Sequence, residues 1–166
     1  MTLFPTKSYS PERVLALEIR ARKVGYVVFE GPETMLDWGV MHKTNSHSAF
    51  ERKLAARWGL LQPHAILIRR ADAERSRAAV QTVRTLSRKQ GVPLHFISAK
   101  NLSVHFGLNV RMNKYERAKI VADRFPELSW HLPRARKPWQ SEPLKIMIFD
   151  AAALGIAYFA ELRINK

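Results

Sequence analysis

The sequence predicts an α/β domain with a mixed five-stranded sheet and helices on both faces, and two observations support this prediction. Residues 13–18, 24–30 and 34–40 are three β-rich runs joined by short connections, which favours an antiparallel meander. Two further apolar runs, at 64–68 and 92–98, flank a helical stretch. A strand, a helix and a strand joined by short loops indicate a right-handed crossover and parallel pairing.

The helical pattern is clearest in residues 46–61. There Phe50, Leu54 and Trp58 recur at intervals of four residues and form an apolar stripe. We expect Trp58 in the core for this reason, and Trp38 as well, because it alternates with apolar neighbours on a strand. The other predicted helices are 72–90, 113–125 and about 144–162.

Capping residues mark the ends of two of these helices. Asp72 is the expected N-cap of the second helix, and Gly91 is its expected C-terminal stop. Asn113 begins the third helix, which places Ile120 on its apolar side and ends before Pro126. The predicted order is therefore three strands and a helix, then a strand, a helix, a strand and two helices.

A basic segment, residues 126–143, separates the last two predicted helices. It contains four prolines and two tryptophans, which indicates a surface loop. Lys and Arg side chains bind phosphates, and exposed aromatic rings stack on bases. We therefore predict that this segment contacts DNA or a partner chain, and the residues expected to bind nucleic acid are Arg134, Arg136, Lys137 and Trp139.

Charge is the strongest signal in the composition. The 166 residues include 28 Lys and Arg against 14 Asp and Glu, a net charge of +14. Such an excess favours a polyanionic partner, and nucleic acid is the commonest one in a cell. The length favours one domain over residues 1–166, with a core at about 13–162 and a short N-terminal extension at 1–12.

The composition also excludes several classes of function. The chain has no cysteine, so disulfides, zinc–thiolate sites and thiol catalysis are ruled out. No basic segment leads into a long apolar stretch with a cleavage site, so we expect no signal peptide. The longest apolar stretch, near 151–160, is too short to span a bilayer. We expect a cytoplasmic protein with no membrane partner.

One carboxylate stands out at the end of the first apolar run in VLALEIRARKVGYVVF, residues 14–29. This segment resembles the first hairpin of RuvC-type Holliday junction resolvases, which have the RNase H-like fold. Glu18 matches the aspartate that closes the first strand of that family. Gly25 and Tyr26 match the Gly-Tyr pair that opens its second strand.

The resemblance extends over most of the chain. LLQPHAILIRR resembles the helix end and fourth strand of the family, and KNLSVHFG, followed by Asn113 and Lys114, resembles its lysine-bearing loop before a helix. FDAAALGIAYFA resembles its last helix. These pieces imply an RNase H-like sheet with three antiparallel strands followed by two parallel ones.

The family chemistry implied by this resemblance is metal-dependent hydrolysis of phosphodiesters in DNA recombination and repair. Carboxylates from the first strand, the fourth strand and the last helix must converge to bind Mg²⁺ or Mn²⁺, which activate a water and stabilise the leaving oxygen. The resemblance further implies binding of branched or duplex DNA by a homodimer. Lys100 or Lys114 would hold phosphate.

The sequence departs from the family at the acidic positions. Arg69 stands at the end of the fourth strand, where the resemblance expects a glutamate. In the last helix, Phe149 and Ala152 occupy the expected carboxylate positions, and Asp150 is out of register by one or two residues. Of the four acids expected, only Glu18 aligns.

Three interpretations of this departure remain open. The site could be rebuilt, with Glu18 and Asp150 as catalytic metal ligands and a third oxygen from Glu142, Asp72 or Glu74. Alternatively, the protein could be a nucleic-acid binder in a larger nucleoprotein complex or on RNA, with an ion pair between Glu18 and the arginine that replaces the fourth-strand acid. In the third interpretation, Glu18 and Asp150 are ordinary solvated or helix-capping acids.

Several basic residues are predicted to converge on one end of the sheet. The carboxyl ends of strands in α/β proteins commonly bind ligands. A solvated basic face is the alternative for any such group of charges. The residues predicted to bind nucleic acid here are Arg20, Arg22, Lys23, Arg69, Arg70, Lys100 and Lys114.

Overall fold

The computed structural model describes residues 12–43, 46–106, 113–134 and 137–165. Within these residues a five-stranded sheet has the strand order β3-β2-β1-β4-β5. The predicted Arg136 contact and residues 1–11 of the N-terminal extension lie outside this part of the chain. The strands are β1 (Arg13–Ile19), β2 (Lys23–Glu30), β3 (Met35–His42), β4 (Ala65–Arg69) and β5 (Leu94–Ile97).

The pairing of the strands confirms the predicted fold class. The first three strands are antiparallel neighbours, whereas β4 runs parallel to both β1 and β5. The crossovers that parallel strands require are made by helices, which lie on the two faces of the sheet. The helices are α1 (His47–Leu61), α2 (Asp72–Arg75), α3 (Arg77–Gln90), α4 (Ala99–His105), α5 (Lys114–Arg124) and α6 (Ile146–Ile164), with a 3₁₀ helix at Pro126–His131.

Four features of the helices and the basic segment differ from the prediction. The helix expected at 72–90 is divided into α2 and α3, and α4 was not predicted. The basic segment is not a loop throughout, because it begins with the 3₁₀ helix. Ile120 is 39% exposed and so does not belong to the buried side of α5. The caps at Asn113 and Gly91 are as predicted.

Each face of the sheet has its own apolar core. On one face of the sheet, Val14, Ala16 and Leu67 pack against α4, α5 and α6. On the other face, Leu15 and Ile68 pack against α1 and α3. Side chains alternate between faces along a strand. Glu18 lies two positions beyond Ala16, and Arg69 lies two positions beyond Leu67. Both side chains therefore point toward α6, on the same side of the sheet.

The close approach of α6 to the sheet depends on two glycines. A Cβ atom at Gly25 would lie 2.7 Å from the Cβ and carbonyl oxygen of Met147, and a Cβ at Gly155 would overlap the Phe29 ring. Gly25 pairs with Glu18 across β1 and β2. The missing side chain at Gly25 thus lets the first turns of α6 lie directly over the end of β1.

The tryptophans follow their predicted environments in part. Trp58 is buried at 4% exposure, as predicted, whereas Trp38 is only half-buried against the core of the α6 face. Trp139 is 77% exposed, and Lys137 Nζ lies 5.4 Å from the centroid of its ring. No helix in the described part of the chain is long and apolar enough to cross a membrane.

Candidate functional site

Glu18, at the end of β1, lies beside Arg69 at the end of β4. The two strands pair in parallel through Leu17 and Ile68, so the residues that follow lie next to each other. Arg69 Nη2 is 3.3 Å from Glu18 Oε2, which makes the two side chains an ion pair. Neither of these atoms has a hydrogen-bond partner among the described residues. The contact is therefore electrostatic.

Burial controls the charge of Glu18. The residue is 4% exposed, and its burial raises the pKa of the carboxyl group to about 7. Arg69 opposes this rise without cancelling it, and the carboxylates of Asp150 and Asp72 add to it. Arg20 also opposes the rise, and the two guanidinium groups together therefore do not offset the cost of removing this carboxylate from water.

Asp150 is a fully buried acid in the second turn of α6. Arg20 Nη2 donates a hydrogen bond to its Oδ2 at 2.9 Å, and Arg117 Nη2 donates one to its Oδ1 at 2.8 Å. The interpretation of Glu18 and Asp150 as solvated or capping acids is wrong, because both are buried and both face arginines.

Glu142 lies in the connection before α6 and joins Arg20 to Lys114. Arg20 Nη1 is 2.8 Å from Glu142 Oε1, and Lys114 Nζ is 3.1 Å from the same oxygen. Arg20 also lies 3.8 Å from Glu18, so it contacts all three acids. We call this set the Glu18 network, and its members are Glu18, Arg20, Arg69, Lys114, Arg117, Glu142 and Asp150.

The donor set of the network does not fit a divalent metal ion. Mg²⁺ requires about six oxygen ligands at roughly 2 Å in octahedral geometry. Here both oxygens of Asp150 accept from arginines, and Glu142 is shared by Arg20 and Lys114. Among the described residues, no group of three His, Asp or Glu side chains is arranged to hold a metal ion. A cation placed between these guanidinium groups would also be repelled by them.

Asp72 is not the N-cap that was predicted. The N-cap of α2 is Ala71, and the Asp72 carboxylate instead accepts a hydrogen bond from the backbone N–H of Ile19 at 3.4 Å. Burial raises the pKa of Asp72, and the bond from Ile19 opposes that rise. Asp72 thus connects the end of β1 to the start of α2. Glu74, the other acid considered for the rebuilt site, is exposed.

The predicted nucleic-acid-binding residues separate into two groups. Arg20, Arg69 and Lys114 lie within the Glu18 network, where each faces a carboxylate. The others form a rim at the carboxyl ends of β1, β4 and β5 and along the basic segment. The described rim residues are Arg22, Lys23, Arg70, Lys100, Arg134, Lys137 and Trp139, all exposed except the half-buried Lys23.

Arg117 belongs to the network but is not among the residues predicted from the sequence. It lies one helical turn after Lys114 on α5, next to the buried Ala118, and its side chain is 16% exposed. Residues three positions apart share a face of a helix. The available signal was therefore a second cation on the same side of the helix as Lys114, directly beside the apolar stripe.

The arrangement of strands and helices is the RNase H-like fold of RuvC-type resolvases. RuvC of Thermus thermophilus in complex with a Holliday junction superposes with a TM-score of 0.68 at 14% identity, over 92% of this chain and 96% of that one. A second Thermus thermophilus RuvC structure gives 0.66 at 15% identity over the same shares. The fowlpox virus resolvase in complex with Holliday junction DNA gives 0.56 at 11% identity, over 90% and 98%. No family model and no curated protein sequence matches the chain.

We expect the stability of the protein to fall as the pH rises from about 4.5 to about 7, and Glu18→Gln to remove this contribution. In that window the folded chain retains the Glu18 proton, which the unfolded chain has released. Because the native state binds more protons there, the free energy of unfolding decreases with pH, by up to about 3 kcal/mol.

Denaturant unfolding of both proteins measures this difference. The Glu18→Gln variant should match the wild type near about pH 4 and exceed it by up to about 3 kcal/mol near about pH 8, because glutamine resembles the protonated acid. A variant that is less stable than the wild type at the higher pH would show that the ionised Glu18–Arg69 pair is net stabilising.

Proposed function

We propose that this protein binds branched or duplex DNA through the basic end of its sheet and does not hydrolyse DNA with a metal at the Glu18 network. A single observation supports the second half most strongly. Glu18, Glu142 and Asp150 each face an arginine or lysine side chain within 4 Å. The positive charge that a divalent ion would supply is supplied by side chains.

The charge of the network also bears on DNA binding. A cluster of ionised carboxylates without a metal ion repels phosphate, whereas the cations of the Glu18 network are at least as numerous as its carboxylates, even with Asp72 included. The surface above the network therefore attracts a phosphodiester backbone without any bound ion. The exposed rim residues extend this attraction beyond the network.

The structural neighbours support DNA as the polyanion. Thermus thermophilus RuvC and the fowlpox virus resolvase were both solved with Holliday junctions. The net charge of +14 fits any nucleic acid, and the fold shared with these two proteins favours DNA. That the protein forms a homodimer and that it belongs to a larger nucleoprotein complex stay predictions. Sedimentation of the free protein with and without DNA measures whether it forms a homodimer.

The binding half of the proposal is tested without metal. We expect the protein to bind a four-way junction and a duplex in chelator-containing buffer, with log affinity falling steeply against log salt, because bound phosphates release counterions. An RNA duplex is the comparison that separates DNA binding from general polyanion binding. Affinity that is only micromolar at low salt, or insensitive to salt, would show that the basic surface is merely solvated.

A further inference from the structure

Two cavities lie side by side at the Glu18 network, and a short piece of chain separates them. One cavity, of about 420 Å³, is lined by Lys114, Tyr115 and Arg134 among others, and the second, of about 300 Å³, is lined by Arg20, Arg22 and Lys23 among others. Glu142 and Pro143 line both. The two cavities are therefore neighbours along one surface, and each has cationic walls.

Glu142 occupies the point at which the two cavities meet. Its carboxylate lies between Arg20, from the turn after β1, and Lys114, from the first turn of α5. Burial alone would raise the pKa of Glu142, but the hydrogen bonds from Arg20 and Lys114 outweigh it and lower the pKa. The carboxylate is thus an anion held by one cation from each cavity.

Glu142 differs from the other acids of the network in how it is held. Asp150 is fully buried within α6, and Glu18 is buried at the end of a paired strand. Glu142 lies before α6 in a connection without helix or strand, and its side chain is 24% exposed. Its contacts to Arg20 and Lys114 are exchangeable side-chain ion pairs, which a competing anion can replace.

From these observations we propose that a phosphodiester group takes the place of the Glu142 carboxylate between Arg20 and Lys114, so that the two cavities become one groove for a nucleic-acid backbone. A phosphodiester carries the same single charge as the carboxylate and offers oxygens to both cations. The inference rests on the proposed DNA binding and adds the position of one phosphate. Glu142 then acts as an internal competitor that weakens binding.

The test is Glu142→Gln, which removes the charge and keeps the size of the side chain. We expect its affinity for a labelled duplex to be roughly tenfold higher than that of the wild type at low salt, and its salt slope to be steeper by about one unit, because one more phosphate contact is fully formed. Adding Lys114→Gln to this variant should remove most of the gain. Thermal unfolding of each protein verifies that it is folded.

The matched control is Glu51→Gln, which makes the same change in net charge. Glu51 lies on α1, on the opposite face of the sheet, in an exposed pair with Lys89. If Glu142→Gln binds no more tightly than this control while the wild type binds in a salt-dependent way, the competitor role is wrong and the proposed function stands. If neither the wild type nor Glu142→Gln binds, both proposals fail.

Discussion

Asp150→Ala is expected to lower the free energy of unfolding by about 3–5 kcal/mol at neutral pH, because it leaves Arg20 and Arg117 without the buried carboxylate that both contact. The loss of this partner affects Arg117 most, since its side chain is 16% exposed and its Nε has no hydrogen-bond partner among the described residues. Denaturant unfolding measures the loss.

The control for this prediction is Asp123→Ala on α5, where the aspartate is exposed. A surface substitution of this kind should change stability by no more than about 0.5 kcal/mol. The opposite result for Asp150→Ala would be informative: removing a carboxylate from a metal cluster that lacks its ion relieves repulsion and leaves stability unchanged or higher. That result would contradict the ion-paired description of the network.

Arg22→Gln combined with Lys23→Gln is expected to weaken binding to duplex and junction alike, on the order of tenfold to a hundredfold at low salt, and to reduce the salt slope by about two units. Both residues lie in or beside the turn after β1, and neither belongs to the Glu18 network. The loss should not depend on DNA sequence, because phosphate contacts do not distinguish bases.

The matched control is Arg88→Gln combined with Lys89→Gln, which makes the same change in charge. These two exposed residues lie in the last turn of α3. Because α3 connects the parallel strands β4 and β5, that turn lies at the end of the sheet away from the Glu18 network. An equal loss of affinity in both double variants would mean that binding responds to net charge alone and that no basic surface is preferred.

The sheet was predictable because its signals are local. Strand periodicity and the apolar character of HAILI determine which segments become strands, and short connections restrict how they pair. The errors in the helix predictions have equally local causes. The short helix α4 contains a single buried residue, Leu102, so it shows no apolar repeat. Asp72 resembles an N-cap by type, but a buried backbone N–H at Ile19 competes for its carboxylate.

The partners within the candidate site were less predictable than the fold. Alternation along strands places Glu18 and Arg69 together, and that pair could be inferred from the sequence. The contacts of Asp150 could not, because Arg20 and Arg117 approach it from a turn and a helix far apart in the chain. Periodicity indicates which face a residue occupies but not which side chain from another element will meet it.

Incubation of the wild-type protein with a four-way junction in Mg²⁺ or Mn²⁺, at protein concentrations that saturate binding, tests the central claim most directly. We predict a bound junction that remains uncut in either metal, because the carboxylates of the Glu18 network are engaged by Arg20, Arg69, Lys114 and Arg117. Metal-dependent nicking that disappears in both Glu18→Gln and Asp150→Asn would contradict this account and establish a rebuilt catalytic site.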